Sequence, residues 1–543
     1  MATAIYSPAL NGQFVLDDLA LPFHLPLRDA PLLLWLSRFR PVLMLSYWVN
    51  YKLWGVEPFA YHFTNLLIHV LNSALVYLVI SKILAFAGWP VRRRTIASLS
   101  GALLFLLHPI QTESVSYVAG RSESLAALFL LLSYVCFLYR RTGPINWSAA
   151  LLTLGALALG GATKESAVCF AAVFLFTDSF WEAPSPRAGP GSNWRLYALM
   201  VPGTIAGVVA VLAMLTHTPT AGFSVVTARW YQYAFTETRA IWTYVRLAVI
   251  PFGQSLDHDF PVSRTILEHG ALFYAALLVA TVGVLVWKRK KYPVSCFGFL
   301  LFLLLLAPTS SVVPIDDPLA ERRMYLALLG LILVACDLAS RLRLSPTAGY
   351  CVLAGLALFF GDLCYARNQL WGKPDTLLAL AAAQSSTNPR PMLNLTEVLI
   401  RHNRCDLAIP YLRRAERVLG RNYYVEVGWG RTLACLNHDV EALPWLLDAA
   451  RLKPCSDVFE WIGLLYGKLG RLGEAGSALK KAVQLNPYSP SAHGSLALWY
   501  SSVNDLASAE REYRTATKLD SEDLSARFGL SQILQREAAV SDR

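Results

Sequence analysis

Long apolar runs separated by short polar or basic segments fill the first two thirds of the chain. A helix of about 20 apolar residues is long enough to cross the hydrocarbon core of a membrane. The runs predict ten membrane-spanning helices, at 60–86, 95–112, 121–139, 146–163, 166–180, 196–216, 271–287, 293–313, 320–340 and 346–363. A further stretch, 238–252, is short and is interrupted by Arg239 and Arg246, so we expect it to be interfacial or re-entrant.

A different pattern occupies the last part of the chain, where small residues recur with a period of about 34. The recurring alanines, in pairs seven residues apart, are Ala408 and Ala415, Ala442 and Ala449, Ala475 and Ala482, and Ala509 and Ala516. Pro454 and Pro487 follow the second alanine of their pairs by five residues. This period predicts four helical hairpins of the tetratricopeptide type, with 524–541 as a capping helix.

The two patterns predict an all-α protein, in which a polytopic transmembrane helical bundle is followed by a tetratricopeptide-repeat α-solenoid. Four segments are predicted: an external loop with interfacial helices at 1–57, the transmembrane domain at 58–364, a linker at 365–384 and the repeat domain at 385–543. Composition agrees, because charged residues make up only 16% of the chain, against about a quarter in soluble domains.

The net charge of +11 does not indicate a nucleic-acid partner, because much of it lies in short clusters between apolar runs. The clusters are Arg92 to Arg94, Arg140 and Arg141, Lys288 to Lys291, and Arg341 with Arg343. Such clusters are typical of cytoplasmic loops. The last span then exits on the opposite face, provided that 238–252 does not cross. We therefore expect a multi-pass protein of the bacterial inner membrane with a periplasmic repeat domain, or of the endoplasmic reticulum with a luminal one.

The nine cysteines show neither paired CxxC motifs nor metal-ligand spacing, so we expect no disulfide framework. His62, Asn65 and His69 fall on one face of a predicted helix. A spacing of seven between histidines is not usual for zinc, and polar helix–helix contacts are the favoured interpretation. No metal or other cofactor is predicted.

Ionisable residues collect at the predicted non-cytoplasmic face. They are Asp17, Asp18, His108, Glu113, Arg121, Glu123, Lys164, Glu165, Asp257, Asp259, Glu321 and Arg322. Ionisable groups at membrane level are costly and often mark function. The structural alternative is snorkelling to the interface or ion pairing, as for the adjacent Lys164 and Glu165, which can ease each other's burial.

Several motifs occur in an order that resembles one family. They are the segment from Asn11 to Asp18, Arg40-Pro41 with Ser46-Tyr47-Trp48, the segment from Tyr61 to His69, His108 to Glu113 with Gly120 to Glu123, Thr163 to Glu165, and Ala320 to Tyr325. Together with the repeat tail, this order resembles the transmembrane and tetratricopeptide-repeat O-mannosyltransferases and their bacterial relatives, over nearly the whole chain.

The resemblance implies a GT-C glycosyltransferase fold and a membrane enzyme. Such enzymes transfer a sugar, for which mannose is one candidate, from a polyprenyl-phosphate carrier to a hydroxyl on the non-cytoplasmic face. In that family the acidic pair follows the first transmembrane helix, whereas here Met1 lies only 16 residues before Asp17. We therefore expect that helix to be missing, through a misplaced start codon or in a form with one helix fewer.

The acidic pair supplies the candidate catalytic residues. A positioned carboxylate can accept the proton of an attacking hydroxyl, and repulsion between adjacent carboxylates raises one pKa. The sequence favours Asp18 as the base with Asp17 orienting it, and leaves the choice open. An Asx turn or helix cap is the structural alternative.

Cations at the membrane surface can stabilise the departing phosphate. Lys164 and Arg322 are the leading candidates, followed by Arg121 and His108. Glu321 and Glu123 complete the predicted substrate-binding set.

The repeat array is expected to bind an acceptor polypeptide near the acidic pair, or a partner protein. The rival hypothesis is a noncatalytic membrane-anchored repeat scaffold for envelope or complex assembly.

Overall fold

The computed structural model describes the chain except residues 25–27, 29, 38, 141–144, 182–192, 219, 224, 226, 343–344, 521–522 and 542–543, and except the side chains of 217, 346 and 537–541. Arg141 and Arg343, which belong to two of the basic clusters, lie outside the described residues. The described elements are helices, apart from one isolated bridge between Ala221 and Ile315. The prediction of an all-α protein is confirmed.

The chain divides into two compact units, one comprising Met1–Leu19 with Pro31–Pro374 and the other Ala20–Ala30 with Asp375–Arg543. The helices of the N-terminal unit are α1 (Ala2–Leu10), α2 (Leu32–Leu36), α3 (Pro41–Trp54), α4 (Pro58–Phe86), α5 (Val91–Leu107), α6 (Thr112–Ser116), α7 (Arg121–Leu138), α8 (Trp147–Gly161), α9 (Phe170–Phe180), α10 (Trp194–His217), α11 (Trp230–Val249), α12 (Ala271–Trp287), α13 (Pro293–Leu306), α14 (Met324–Ala339) and α15 (Pro346–Trp371). Each of the ten apolar runs overlaps one of these helices.

Among the described residues, five helices are long and apolar enough to cross a membrane: α4, α7, α10, α12 together with the turn before it, and α15. A sixth candidate is α5 followed by Pro109–Ser116, a pair bent by 51°. Helices α8 and α13 are apolar but shorter. Helix α11 contains most of the 238–252 stretch, and its buried side includes Tyr233, Ala240 and Tyr244. Length and composition thus support several spans, but fewer than the ten predicted.

The hairpin of α13 and α14 is held by a contact between two glycines. A Cβ atom at Gly298 would lie 2.6 Å from the carbonyl oxygen of Gly330. Small residues allow helix backbones to approach this closely. At one end of the hairpin, Asp337 Oδ2 accepts from Ser295 Oγ at 2.7 Å, and Asp337 Oδ1 accepts from Arg341 at 3.0 Å. The two helices are therefore fixed to each other at two levels.

The polar stripe of α4 makes contacts within the N-terminal unit. His62 Nε2 lies 3.1 Å from the carbonyl oxygen of Gly12. Asn65 Nδ2 donates to the carbonyl oxygen of Val115 at 3.1 Å. His69 Nδ1 lies 2.8 Å from the hydroxyl of Tyr325 on α14. Asn65 and His69 therefore make the predicted polar helix–helix contacts, whereas His62 contacts the segment after α1.

The C-terminal unit is an array of helical hairpins. Its helices are α16 (Pro374–Gln384), α17 (Arg390–Arg401), α18 (Ile409–Leu419), α19 (Tyr423–Cys435), α20 (Asp439–Leu452), α21 (Ser456–Lys468), α22 (Leu472–Leu485), α23 (Pro490–Ser502), α24 (Leu506–Leu519) and α25 (Leu524–Ser541). The segment 365–384, assigned as a linker, contains the end of α15 and all of α16. The segment Ala20–Ala30 belongs to this unit, where Arg28 pairs with Asp520.

The repeat period has a clear structural basis. All eight recurring alanines are completely buried. Asn403, Asn437, Gly470 and Asn504, one in each repeat, have positive φ angles at the turn after the first helix of the hairpin. Asparagine and glycine tolerate this left-handed conformation better than other residues. The period therefore records both the tight packing and the turns.

A disulfide joins Cys405 and Cys435, whose Cα atoms are 6.2 Å apart. The expectation of no disulfide was wrong for this pair. Cys405 begins the 3-10 turn before α18, and Cys435 is the last residue of α19. The repeat fold brings together two residues 30 positions apart, so no local cysteine motif could reveal the bond.

Candidate active site

The acidic pair lies in the 3-10 turn Leu16–Ala20, and its two carboxylates have different environments. Asp18 is completely buried: its Oδ2 accepts from the backbone N–H of Val15 at 3.1 Å and its Oδ1 from that of Ala119 at 2.7 Å. Asp17 is exposed. Leu16 has a φ of 49°, a conformation that costs a non-glycine residue about 1 kcal/mol or more. The bonds to Asp18 fix this strained turn and leave Asp17 facing outward.

Burial raises the pKa of Asp18 to about 7, against the lowering effect of its backbone hydrogen bonds and with a smaller raising effect from Asp17. Tyr117 lies beside the pair, and its hydroxyl accepts from the Asp17 N–H at 3.0 Å. Burial, followed by the charges of Asp18 and Asp17, raises the pKa of Tyr117. Its hydroxyl therefore keeps its proton and can donate to the Asp17 carboxylate.

Arg121 is completely buried at the start of α7, and its partners are neutral. Its Nε donates to Asn65 Oδ1 at 2.6 Å, and its two Nη atoms donate to Asn50 Oδ1 at 2.6 Å and the carbonyl oxygen of Tyr61 at 3.0 Å. The guanidinium also lies 4.6 Å from the ring centroid of Tyr47. Since these interactions hold it in the interior, Arg121 is a poor candidate for contact with a phosphate.

Lys164 and Arg40 form two adjacent ion pairs with carboxylates. Lys164 pairs with Glu123, and Arg40 binds Glu165 through two bonds of 2.6 and 3.0 Å. Burial lowers the pKa of Lys164, although Glu123 opposes the shift. Arg40 has a φ of 63° and directly precedes α3, where Pro41 favours the start of a helix. Arg40 was not among the predicted site residues, although Arg40-Pro41 was one of the motifs of the resemblance.

Arg322 lies in the 3-10 turn Glu321–Arg323, directly before α14. Both its side chain and its backbone N–H bind the buried carboxylate of Glu113, at 2.7 and 2.8 Å. A second carboxylate, that of Asp317, lies 3.6 Å away. The side chain of Arg322 is 34% exposed, so the guanidinium is both anchored and accessible.

Glu321 and His108 are held by interior contacts. Glu321 accepts from Gln254 at 2.9 Å and from the Ser255 N–H at 2.8 Å, and it pairs with His258 at 2.9 Å.

His108 uses both ring nitrogens for backbone contacts. Nε2 lies 3.0 Å from the carbonyl oxygen of Ala248, and Nδ1 accepts from the Ile110 N–H at 3.2 Å. These contacts favour a structural role for His108 over binding of a phosphate.

Charge–charge interactions connect several of the predicted residues. Glu123 interacts with Arg40 and Arg322 as well as with Lys164, and Glu113 interacts with Glu321. The three partly accessible cations Arg40, Lys164 and Arg322 therefore share one electrostatic cluster. This cluster combines cations for an anionic leaving group with acids that hold those cations in place.

The chain is similar to several known proteins, and some of these similarities extend over most of its length. The chain is 24% identical over 425 residues to F38B6.6 of Caenorhabditis elegans, covering 73% of this chain and 58% of that protein. It is 22% identical over 546 residues to human TMTC3, covering 91% and 58%. Tmtc2 of Drosophila melanogaster is 36% identical over 135 residues, which is 24% of this chain and 14% of that protein. These relatives are protein O-mannosyl-transferases.

The resemblance to the O-mannosyltransferases seen in the motifs is confirmed by these relatives, of which the chain spans a little over half the length. The tetratricopeptide repeat family matches residues 456–489. Among solved structures, the chain is similar to the tetratricopeptide-repeat protein TTC0263 of Thermus thermophilus, with 21% identity and a TM-score of 0.28 over 34% of this chain and 96% of that one.

Proposed function

We propose that this chain is a membrane glycosyltransferase. It transfers a sugar, with mannose as the leading candidate, from a polyprenyl-phosphate carrier to a hydroxyl of a protein or glycan on the non-cytoplasmic face. The observation that carries the proposal is the similarity to an O-mannosyl-transferase over 91% of the chain. The GT-C fold belongs to the same proposal, as do the multi-pass topology and the absence of a metal or other cofactor.

In the proposed reaction, Asp17 is the base and Asp18 positions it, the reverse of the assignment that the sequence favoured. Asp17 is exposed, whereas Asp18 uses both carboxylate oxygens to accept backbone N–H groups. The acceptor hydroxyl gives its proton to Asp17 while its oxygen forms the new bond to the anomeric carbon of the sugar. The bond from that carbon to the phosphate oxygen breaks, and the electron pair leaves with the phosphate.

The cation cluster would stabilise the leaving phosphate. Lys164 and Arg322 remain the proposed contacts, and Arg40 joins them because its side chain is 35% exposed beside the same acids. Fixed cations directed at developing negative charge typically account for a 10²–10³-fold rate effect each. Glu113, Glu123 and Glu165 would position these cations rather than contact the substrate.

The repeat unit would lie on the same non-cytoplasmic side and bind the acceptor polypeptide or a partner protein. The disulfide between Cys405 and Cys435 supports this side, because disulfides persist in the periplasm or the lumen and are rare in the cytosol. The integral membrane location and the orientation are part of the proposal.

The central test is transfer of labelled mannose from a polyprenyl-phosphate carrier to a peptide acceptor by the purified full chain. Asp17→Asn is expected to reduce kcat at least 100-fold. Thermal unfolding should show that this variant is as well folded as the wild type. Glu57→Gln, at an exposed acid of the same predicted external segment whose side chain makes no cap hydrogen bond to α4, serves as the matched control. Full activity of Asp17→Asn would exclude Asp17 as the base. If Asp17→Ala/Asp18→Ala left cellular glycosylation unchanged while removal of 385–543 abolished the phenotype, the scaffold hypothesis would replace the enzyme.

The role of Arg322 can be separated from its ion pair by a double substitution. Arg322→Gln alone leaves Glu113 buried without its main partner, so both stability and activity should fall. Adding Glu113→Gln should recover stability but leave kcat at least 100-fold low if Arg322 binds the phosphate. Recovery of both properties would assign a purely structural role to Arg322.

A further inference from the structure

A large apolar cavity lies between α5, α14 and α15 of the N-terminal unit, and none of the ion-paired residues of the candidate active site is among the described residues that line it. Its volume is about 570 Å³, within the range of 300–1,000 Å³ that is common for small-molecule sites. Most of its wall is aliphatic or aromatic, with Ile96, Leu104, Ile332, Leu353, Leu356 and Phe360 among the lining residues. The cavity is therefore suited to a hydrocarbon chain.

One end of this cavity is basic and polar. The first turn of α5 contributes Arg92 and Arg93, the segment after α14 contributes Ser340, and Ser345 precedes α15. Arg93 packs 4.6 Å from the ring centroid of Trp89 and donates to the carbonyl oxygen of Ser340, so its guanidinium is held at the rim. Both arginines are exposed. No acidic residue is among the described residues that line the cavity.

The opposite end of the cavity is apolar. Along α5, the lining residues extend from Arg92 to Leu107, a distance of about 22 Å at 1.5 Å per residue. One leaflet of a membrane fills about half of a hydrocarbon core that is ~30 Å thick. The cavity is therefore long enough for a complete acyl chain that starts at the arginines.

We propose that this cavity is a binding site for an anionic phospholipid, with an acyl chain between α5, α14 and α15 and the headgroup phosphate at Arg92 and Arg93. Basic pockets between membrane helices bind anionic headgroups in this way. The site rests on the proposed membrane location of the chain and not on its catalytic activity.

The donor lipid is the rival occupant, but the charges favour the phospholipid. In the proposed reaction the carrier phosphate contacts Lys164 and Arg322, and neither residue lines the cavity. The cations that do line it, Arg92 and Arg93, lie at the start of α5, whereas the end near Leu107 and Phe360 contributes no charge. An anionic group held by this cavity therefore belongs at the end of α5 that begins with Arg92.

Glycines on α15 allow the cavity to be filled without disturbing the helix. Gly349 lines the cavity, and a Cβ atom built on it meets no atom within 4 Å. Gly355 has equally open surroundings on the same helix but does not line the cavity. Gly349→Leu should therefore occupy the space of the acyl chain, and Gly355→Leu is its matched control.

The experiment measures lipids bound to the full-length protein by native mass spectrometry, after delipidation and addition of phosphatidylglycerol or phosphatidylcholine in mixed micelles. The wild type should bind about one phosphatidylglycerol at least tenfold more tightly than phosphatidylcholine. Gly349→Leu should lose at least tenfold in affinity for phosphatidylglycerol, while Gly355→Leu should match the wild type. Equal binding by Gly349→Leu and the wild type would overturn the site.

A second pair of variants tests the headgroup site and adds no side chain to the space of the acyl chain. Arg92→Gln/Arg93→Gln should abolish the preference for phosphatidylglycerol, whereas Arg289→Gln/Lys290→Gln, which removes the same charge from another exposed cluster, should preserve it. Equal affinity of the wild type for both lipids would overturn the proposal. So would a tightly bound polyprenyl phosphate that Gly349→Leu displaces and the arginine variants retain. Fractionation of the wild type with membranes checks the location separately, and the mannose-transfer assay checks catalysis.

Discussion

The two units of this protein rely on small residues to different degrees: small residues recur in every hairpin of the C-terminal unit, whereas the N-terminal unit combines close glycine contacts, such as Gly298 with Gly330, with polar contacts. In the C-terminal unit, small residues at regular intervals allow close approach of the helices, and all eight recurring alanines are buried. In the N-terminal unit, polar side chains inside the bundle join distant elements, as Arg121 joins α3, α4 and α7. Packing by small residues leaves a period in the sequence. A polar stripe such as His62, Asn65 and His69 can be recognised in the sequence, but its partners cannot, because they are far apart along the chain.

Arg121→Gln is expected to have the largest effect and tests how far the N-terminal unit depends on its polar contacts. The substitution removes donors from Asn50, Asn65 and the carbonyl oxygen of Tyr61 in the interior. Loss of a buried charged group with several partners costs about 4 kcal/mol. We therefore expect a loss of that size in the free energy of unfolding, measured by denaturant titration of the protein in detergent. Arg289→Gln, at an exposed arginine, should change it by less than about 0.5 kcal/mol. Similar stabilities of the two variants would contradict the central role of the polar interior.

Removal of the disulfide tests whether packing by small residues is sufficient for the stability of the C-terminal unit. Cys405→Ser/Cys435→Ser should lower the free energy of unfolding by about 3 kcal/mol, because the bond closes a loop of intermediate length in the unfolded chain. Treatment with a reductant should destabilise the wild type by a similar amount and leave the double variant unchanged. Cys351→Ser, at an exposed free cysteine, is the control. No response of the wild type to the reductant would contradict the bond.

The buried carboxylate of Asp18 predicts a pH dependence of stability in the N-terminal unit. Its pKa is about 7 in the folded protein and about 3.9 in an unfolded chain. Because the folded-state pKa is the higher one, the stabilising contribution is complete below about pH 4 and is lost as the pH rises through 7. Relative to Asp18→Asn, the wild type should lose up to about 1 kcal/mol per pH unit in this window. Parallel pH profiles of the two proteins would show that Asp18 does not titrate there.

The smallest effects should come from two glycines of α21. A Cβ atom at Gly463 would lie 2.5 Å from Leu479 Cγ, whereas a Cβ atom at Gly467 meets no atom within 4 Å. Gly463→Ala should therefore destabilise the repeat unit by about 1 kcal/mol or more through overpacking. Gly467→Ala should stabilise it by about 0.5–1 kcal/mol through helix propensity. Thermal unfolding of the two variants should show shifts of opposite sign, and shifts of the same sign would contradict packing by small residues.

The difference between local spacing and long-range contacts explains how much of the molecule could be predicted from the sequence. Apolar runs and the 34-residue period were sufficient for the helices, because both depend on local spacing. The disulfide and the contacts of Arg121 depend on residues brought together by the fold, so the disulfide was not predicted and Arg121 was predicted to bind substrate. The acidic pair shows the same limit: the sequence shows two adjacent carboxylates, which are distinguished only by the burial of Asp18 and by its hydrogen bonds from the backbone N–H groups of Val15 and Ala119. Arg40 was missed because its partner, Glu165, is 125 residues away.

The glycine contact between α13 and α14 restricts how the protein can vary over evolutionary time. Any side chain at Gly298 would collide with the backbone of Gly330, and the reverse is equally true. Neither position can therefore change alone, and two larger residues would separate the helices further. Helix α14 follows directly on the turn that contains Arg322, and Gly330 lies about two helical turns away from it. Homologues that keep both glycines should preserve the register of that arginine, even where the apolar residues between them have diverged.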